Sequence, residues 1–253
     1  MSVTATPAAN DPAPPRLVMP GKALSPGAGL SWIGEGWKLF MRAPLMWVVF
    51  MVVLFVVAIV MAFIPFIGSV AWQILSPVLA GGLVLGCWSL ENGGELEIEH
   101  LIAGFKRNFS ALVLIGVLYL VGVLVILLVF AMFVGISLLP AILAGDTNAV
   151  GALGVMGGGF IIGTLVTTVM SILLGAAIWL APALAIMHDV SAIEAMKASF
   201  VAVFRNFFGA LIFAIVMFLL AIVAVIPFGL GMLVWFPVMI GASYRAYRQI
   251  FTE

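Results

Sequence analysis

Six long apolar runs, at about 44–64, 69–90, 109–139, 159–187, 207–226 and 229–244, dominate the chain, and none contains a Lys, Arg, Asp or Glu. A helix rises about 1.5 Å per residue and a bilayer's hydrocarbon layer is about 30 Å thick, so about 20 residues suffice to cross. The runs lack apolar/polar alternation and are too long for strands, and backbone in lipid must satisfy its own hydrogen bonds. The pattern predicts an all-α, polytopic membrane bundle of about six transmembrane helices.

Shorter segments with a different rhythm precede the first, third and fifth runs. In the first, Ser31, Glu35, Lys38 and Arg42 fall at i, i+4, i+7 and i+11, a polar stripe opposite Trp32, Ile33, Trp37, Leu39, Phe40 and Met41. Ile98, Leu101, Ile102, Phe105 and Phe109 form an apolar stripe in the second, and Ile193, Met196, Phe200, Phe204 and Phe207 in the third. Such segments are expected to lie as amphipathic helices in the membrane interface, with aromatic rings among the headgroups and cations toward phosphates.

The order repeats. Leader, crossing, turn and Pro-containing return recur over about 31–90, 97–187 and 191–250, with the signatures Phe40-Met41-Arg42, Phe105-Lys106-Arg107-Asn108 and Phe204-Arg205-Asn206. The turns on the other side read Ile64-Pro65-Phe66-Ile67-Gly68, Leu139-Pro140 and Ile226-Pro227-Phe228-Gly229, and the returning runs carry Pro77, Pro182 and Pro237. Three repeated hairpins form one transmembrane domain over 31–253. Residues 1–30, with six prolines among 7–26 and no apolar core of signal-peptide type, are expected to form a disordered tail.

Charge orients the bundle. Arg16, Lys22, Lys38 and Arg42 precede the first run, Lys106 and Arg107 separate the second from the third, Lys197 and Arg205 the fourth from the fifth, and Arg245 and Arg248 follow the sixth. The opposite connections hold a single charge, Asp146. The positive-inside rule makes the basic side cytoplasmic, with both termini, in a bacterial inner (plasma) membrane. The composition agrees: 65% of the residues are hydrophobic and 8% charged, with a formal net charge of zero that favours no nucleic-acid partner.

Candidate chemistry is sparse. The runs hold no ionisable cluster, so no catalytic residue, cofactor site or metal site is assigned and the chain is not expected to be an enzyme. His100 and His188 either share a metal or proton site or each pair with a neighbouring carboxylate, Glu99 or Asp189. Glu91, Glu95, Glu97 and Glu99 attract a cation or basic partner, or form a solvated loop that complements the next helix dipole. Thr164, Thr167, Thr168 and Ser171 form a hydroxyl stripe that lines a polar path or glues helices together. Pro77, Pro182 and Pro237 shape a cavity or set the bundle's curvature. Gly82 and Gly86, like Gly159 and Gly163, are spaced for close helix contact, and Cys87 is the single, buried cysteine. The glycines from Gly151 to Gly159 lack the strand and the Lys-Ser/Thr of a phosphate cradle.

The motifs Gly34-Glu35-Gly36-Trp37-Lys38-Leu39-Phe40, Pro44-Leu45-Met46-Trp47, Ile64-Pro65-Phe66-Ile67-Gly68 and Leu75-Ser76-Pro77-Val78 resemble a group of uncharacterised proteobacterial inner-membrane proteins, the hypothetical transmembrane proteins, over roughly 30–250. The plan of leader plus hairpin is also similar to the membrane domain of some glycerophosphodiester phosphodiesterases, whose catalytic carboxylates have no counterpart here. The resemblance implies location and architecture. Two functions are expected: a non-catalytic scaffold that binds membrane lipids or other membrane proteins, or a channel or transporter for a small neutral or apolar solute. The interface anchors are expected to be Trp32, Trp37, Lys38, Arg42, Lys106, Arg107, Lys197, Arg205, Arg245 and Arg248.

Overall fold

The computed structural model describes residues 15–143, 145 and 157–253, all of them helix or connection with one isolated β-bridge, Leu17 to Thr252. The helices are α1 (Ala28–Arg42), α2 (Pro44–Ala62), α3 (Ile67–Glu91), α4 (Glu99–Lys106), α5 (Phe109–Leu143), α6 (Gly158–Ile178), α7 (Ala181–His188), α8 (Ala192–Arg205), α9 (Phe207–Val225) and α10 (Met232–Phe251). Among the described residues five stretches are long and apolar enough to cross a membrane: α2, α3, α5 to Leu139, α6 and α7 together, and α9. The sixth expected run lies mostly in α10, which differs from the five because its last turns carry Arg245, Arg248 and Gln249.

Outward faces of α2 and α9 are bare hydrocarbon. Val53, Val56, Ile59 and Val60 of the first and Phe218, Leu219, Ile222 and Val223 of the second are all exposed. In water a continuous apolar face of this kind drives association; in a bilayer it meets acyl chains of its own polarity. The ~28 Å length of each 19-residue helix matches the hydrocarbon layer.

The chain divides into two compact units, residues 1–117 with 177–253, and residues 118–176. In the first, α1 lies against α10 closely enough that a Cβ on Gly36 would stand 2.5 Å from the Ala242 nitrogen, while one on Gly29 would collide with the Gly209 carbonyl of α9. Gly82 and Gly104 bring α3 and α4 together in the same way, against the carbonyls of His100 and Val78. Trp32 is fully buried at the centre, with ring centroids 6.0 Å from Trp179 and 6.1 Å from Phe213. In the second unit α5 and α6 form a pair in which Gly159 and Gly163 pack under Phe133, as their spacing predicts.

Three expectations change. The turn expected at Leu139-Pro140 is helical, because α5 runs on to Leu143; Asp146, Gly151 and Gly154 lie outside the described residues. Pro182 kinks no helix from within: the helix breaks, α6 ending at Ile178 and α7 starting at Ala181, with Pro182 in its first turn, where a missing N–H costs nothing. Residues 15–27, expected to be a free tail, are tied down. The Val18 and Lys22 amides donate to the Phe251 and Ile250 carbonyls, both at 2.7 Å, and the Leu24 amide to Asn206 Oδ1 at 2.7 Å. Proline-rich composition argues against helix and sheet, but it leaves single hydrogen bonds to a folded partner open. Residues 1–14 lie outside the described residues.

Candidate functional sites

The densest polar constellation joins three helices that are far apart in sequence. On α10, Tyr244, Arg245, Arg248 and Gln249 share a face by helical spacing. Glu91 ends α3 and Glu35 sits at mid-α1. Arg245 is paired with both Glu35 and Glu91; Arg248 Nε donates to Glu91 Oε2 at 3.0 Å, and the Tyr244 hydroxyl donates to the same carboxylate. Gln249 links the network to the core, accepting from Trp32 Nε1 at 3.0 Å and donating to Glu35 at 3.4 Å. Arg42 closes it from the other side by donating to the Leu90 and Glu91 carbonyls.

Arg245 and Arg248 balance the carboxylates of Glu35 and Glu91, and Arg42 adds a third cation at the backbone of Leu90 and Glu91. The side chains of the four paired residues are 20–30% exposed, enough to strengthen the pairs relative to open water without the full desolvation of a deep interior. Arg248 lies in the last turn of α10, where a cation complements the helix dipole, and it offsets the unfavourable position of Glu91 at the end of α3.

This arrangement redistributes the expected anchors. Arg245 and Arg248 are internal partners, not free interfacial cations. Trp32, expected among headgroups, is buried and hydrogen-bonded within the protein. Its burial follows from Gly29 and Gly36, which let α1 sink into the bundle instead of floating on it. Trp37 is half exposed, Lys38, Lys106, Lys197 and Arg205 are exposed, and Arg107 is half-buried. Arg205 also donates to the Gly21 carbonyl at 2.8 Å.

The leaders α4 and α8 turn their aromatic stripes outward. In α8, Ala192, Ala195, Ala198, Ser199 and Ala202 are buried, while Ile193, Phe200 and Phe204 on the helix, and Phe207 just beyond it, are exposed. In α4, Leu101 and Gly104 are buried while Ile102 and Phe105 are exposed, as are Ile98 before it and Phe109 after it. In α8 small residues thus make the protein contact, in α4 Leu101 and Gly104 do, and the aromatic rings of both remain for the surroundings.

Each signature asparagine bridges distant segments. Asn206 Nδ2 donates to the Lys22 carbonyl at 3.0 Å, and Asn108 Nδ2 to the Ala185 carbonyl at 2.8 Å. Their own carbonyls accept the first hydrogen bonds of the next helices, from Ala210 and Leu112, as Ala43 does from Trp47.

The histidines stay apart in their bonding. His188 Nε2 lies 2.6 Å from the Tyr247 hydroxyl rather than on Asp189, whose backbone takes the left-handed conformation that ends α7; the Glu97 amide donates to His100 Nδ1 at 3.0 Å. Of the acidic run, Glu91 belongs to the charged cluster, Glu99 stands in the first turn of α4, and Glu95 and Glu97 are exposed. Among the described residues no group of three or more His, Cys, Asp or Glu could hold a metal ion. Cys87 is buried.

The hydroxyl stripe bonds to its own helix. Thr164 donates to the Phe160 carbonyl at 2.8 Å, and Thr167, Thr168 and Ser171 each donate to the carbonyl four residues back at 2.7 Å. Pro77 and Pro237 interrupt α3 and α10 from within. Pro77 cannot donate to the Gln73 carbonyl, and the Ser76 hydroxyl does so instead at 3.1 Å.

Over 214 residues the chain is 26% identical to a protein of Burkholderia thailandensis named a probable inner membrane protein, covering 83% of this chain and 78% of the relative. No protein-family profile and no solved structure matches the chain. The relative and the five long apolar helices together support a multi-pass inner-membrane protein.

Proposed function

We propose that this chain is a non-catalytic inner-membrane protein that binds lipids or membrane partners through its cytoplasmic short helices. It crosses the membrane six times as three hairpins, with α10 as the last crossing and both termini in the cytoplasm. The repeat draws support from local geometry: Ala43, Asn108 and Asn206 start α2, α5 and α9 in the same way, and Phe66 and Phe228 each follow a proline with positive φ, 59° and 54°.

The observation that carries the reading is α8, a helix whose small residues face the protein and whose Ile193, Phe200 and Phe204 face outward beside exposed Lys197 and Arg205. Such a face gains free energy by burying rings at the level of the headgroups while the cations meet phosphates. Spin labels at positions 194 and 204 in vesicles with anionic lipid test it. Position 204 should be accessible to oxygen and shielded from a water-soluble nickel chelate, and position 194, on the polar side of the helix, the reverse; chelate access at 204 would overturn the placement. Neutralising Lys106, Arg107, Lys197 and Arg205 should also remove enrichment of anionic lipid in the purified protein.

A second reading, passage of a small apolar solute, draws on an apolar cavity in the first unit, between α2, α3, α7 and α10. Solute flux in proteoliposomes tests it directly.

A further inference from the structure

That cavity, of about 380 Å³, is lined by Met51 and Phe55 of α2, Leu79 and Leu83 of α3, Ala183 of α7 and Met239 of α10, among others. The break between α6 and α7 forms part of its wall, at Trp179 and Leu180. At this break the Leu180 amide donates to Ser199 Oγ at 3.0 Å, so that amide needs no ligand to complete it.

The lining includes no ionisable side chain; its side-chain polar atoms come from Trp72, Ser76, Trp179 and Ser243. Three of those four have given up their hydrogens to the protein. Trp179 Nε1 donates to Ser243 Oγ at 2.9 Å, Ser243 to the Met239 carbonyl at 2.8 Å, and Ser76 to the Gln73 carbonyl. A polar solute would leave water for a wall with few donors to offer, whereas a hydrocarbon has no hydrogen bond to lose. Cavities of about 150 Å³ lined by Leu, Ile and Phe stay dry and take up benzene, and ligand pockets run from about 300 to 1,000 Å³.

We propose that the cavity is a binding site for one long hydrocarbon chain, carried either by a free fatty acid or by a phospholipid. The site uses no residue of α1, α4 or α8, so it stands or falls separately from the lipid-facing helices of the proposed function.

The full-length protein is irradiated with palmitate carrying a diazirine in its chain, and in parallel with a phosphatidylcholine bearing the same chain, and the adducts are mapped by mass spectrometry. Adducts are expected on cavity residues of α2, α3 and α10. Ala80→Phe, which fills the cavity, should lower them about tenfold while leaving adducts on the outward Phe218 and Leu219 of α9 unchanged. Should that variant not yield monodisperse protein, Ala58→Trp fills the cavity from α2 and makes the same test. Labelling by palmitate alone assigns the chain to a free fatty acid, and labelling by the phosphatidylcholine assigns it to a membrane lipid. No adduct at cavity positions with either probe, or adducts indifferent to both variants, would overturn the proposal.

Discussion

Arg245 on the last helix is paired with Glu35 on the first, although 210 positions of chain separate them. The pair does not stand alone, because Glu91 of α3 takes the same guanidinium and also binds Arg248. Helices α1, α3 and α10 are therefore fastened together by one charged cluster.

Removing one member strands its partners more than it removes a bond. Glu91→Ala leaves Arg245 with one carboxylate and Arg248 with no acid partner in the cluster, at an expected cost of roughly 1–3 kcal/mol, less than for a fully buried pair because these side chains are 20–24% exposed. Thermal unfolding in detergent should show the loss, and Glu91→Ala combined with Arg248→Ala should cost less than the sum of the two single changes. Additive effects would mean that the pair contributes no coupling.

Glycines in α1 should divide sharply by position. At Gly36 a Cβ meets the Val238 carbonyl oxygen at 2.6 Å, so Gly36→Ala forces α1 off α10 and should destabilise by about 1–3 kcal/mol. At Gly34 nothing lies within 4 Å, and Gly34→Ala should be neutral or stabilise the helix by about 0.5–1 kcal/mol. Melting temperatures of the two variants in one detergent make the comparison.

Asn206 holds the N-terminal segment with both ends of its amide, toward Leu24 and Lys22. Asn206→Ala should release residues 15–27 at a local cost of about 1–3 kcal/mol, which trypsin cleavage after Lys22 reads as roughly a tenfold rise in rate. An unchanged rate would mean that the remaining bonds, from the Val18 and Lys22 amides, the Lys22 ammonium and Arg205, hold the segment without Asn206.

How far these contacts were legible beforehand depends on their range. The apolar runs announced the spans because length and hydropathy are local properties, and Gly82 and Gly159 announced close helix contact because their spacing falls within one helix. The Glu35, Glu91 and Arg245 cluster was not visible as a cluster. Each member had a reasonable local account, as a polar stripe, an acidic loop or an interfacial cation, and only the packing of α1 on α10 brings them together. Trp32 misled for the same reason: an aromatic on an amphipathic helix fits an interface or a core equally well, and Gly29 and Gly36 decide for the core. Pro182 signalled a disturbance in the fourth run, but whether a helix bends or breaks there depends on a partner for the freed amide, supplied by Ser199 from another helix.

Single cysteines read by a membrane-impermeant maleimide in intact and permeabilised cells test the orientation of the whole bundle most directly. The native Cys87 is buried and should stay silent. A cysteine replacing Phe228, a fully exposed residue of the turn after α9, should react in intact cells, and cysteines replacing Lys106 or Lys197 only after permeabilisation. Reaction at position 106 or 197 in intact cells, or at 228 only after permeabilisation, would contradict a bundle whose basic short helices face the cytoplasm.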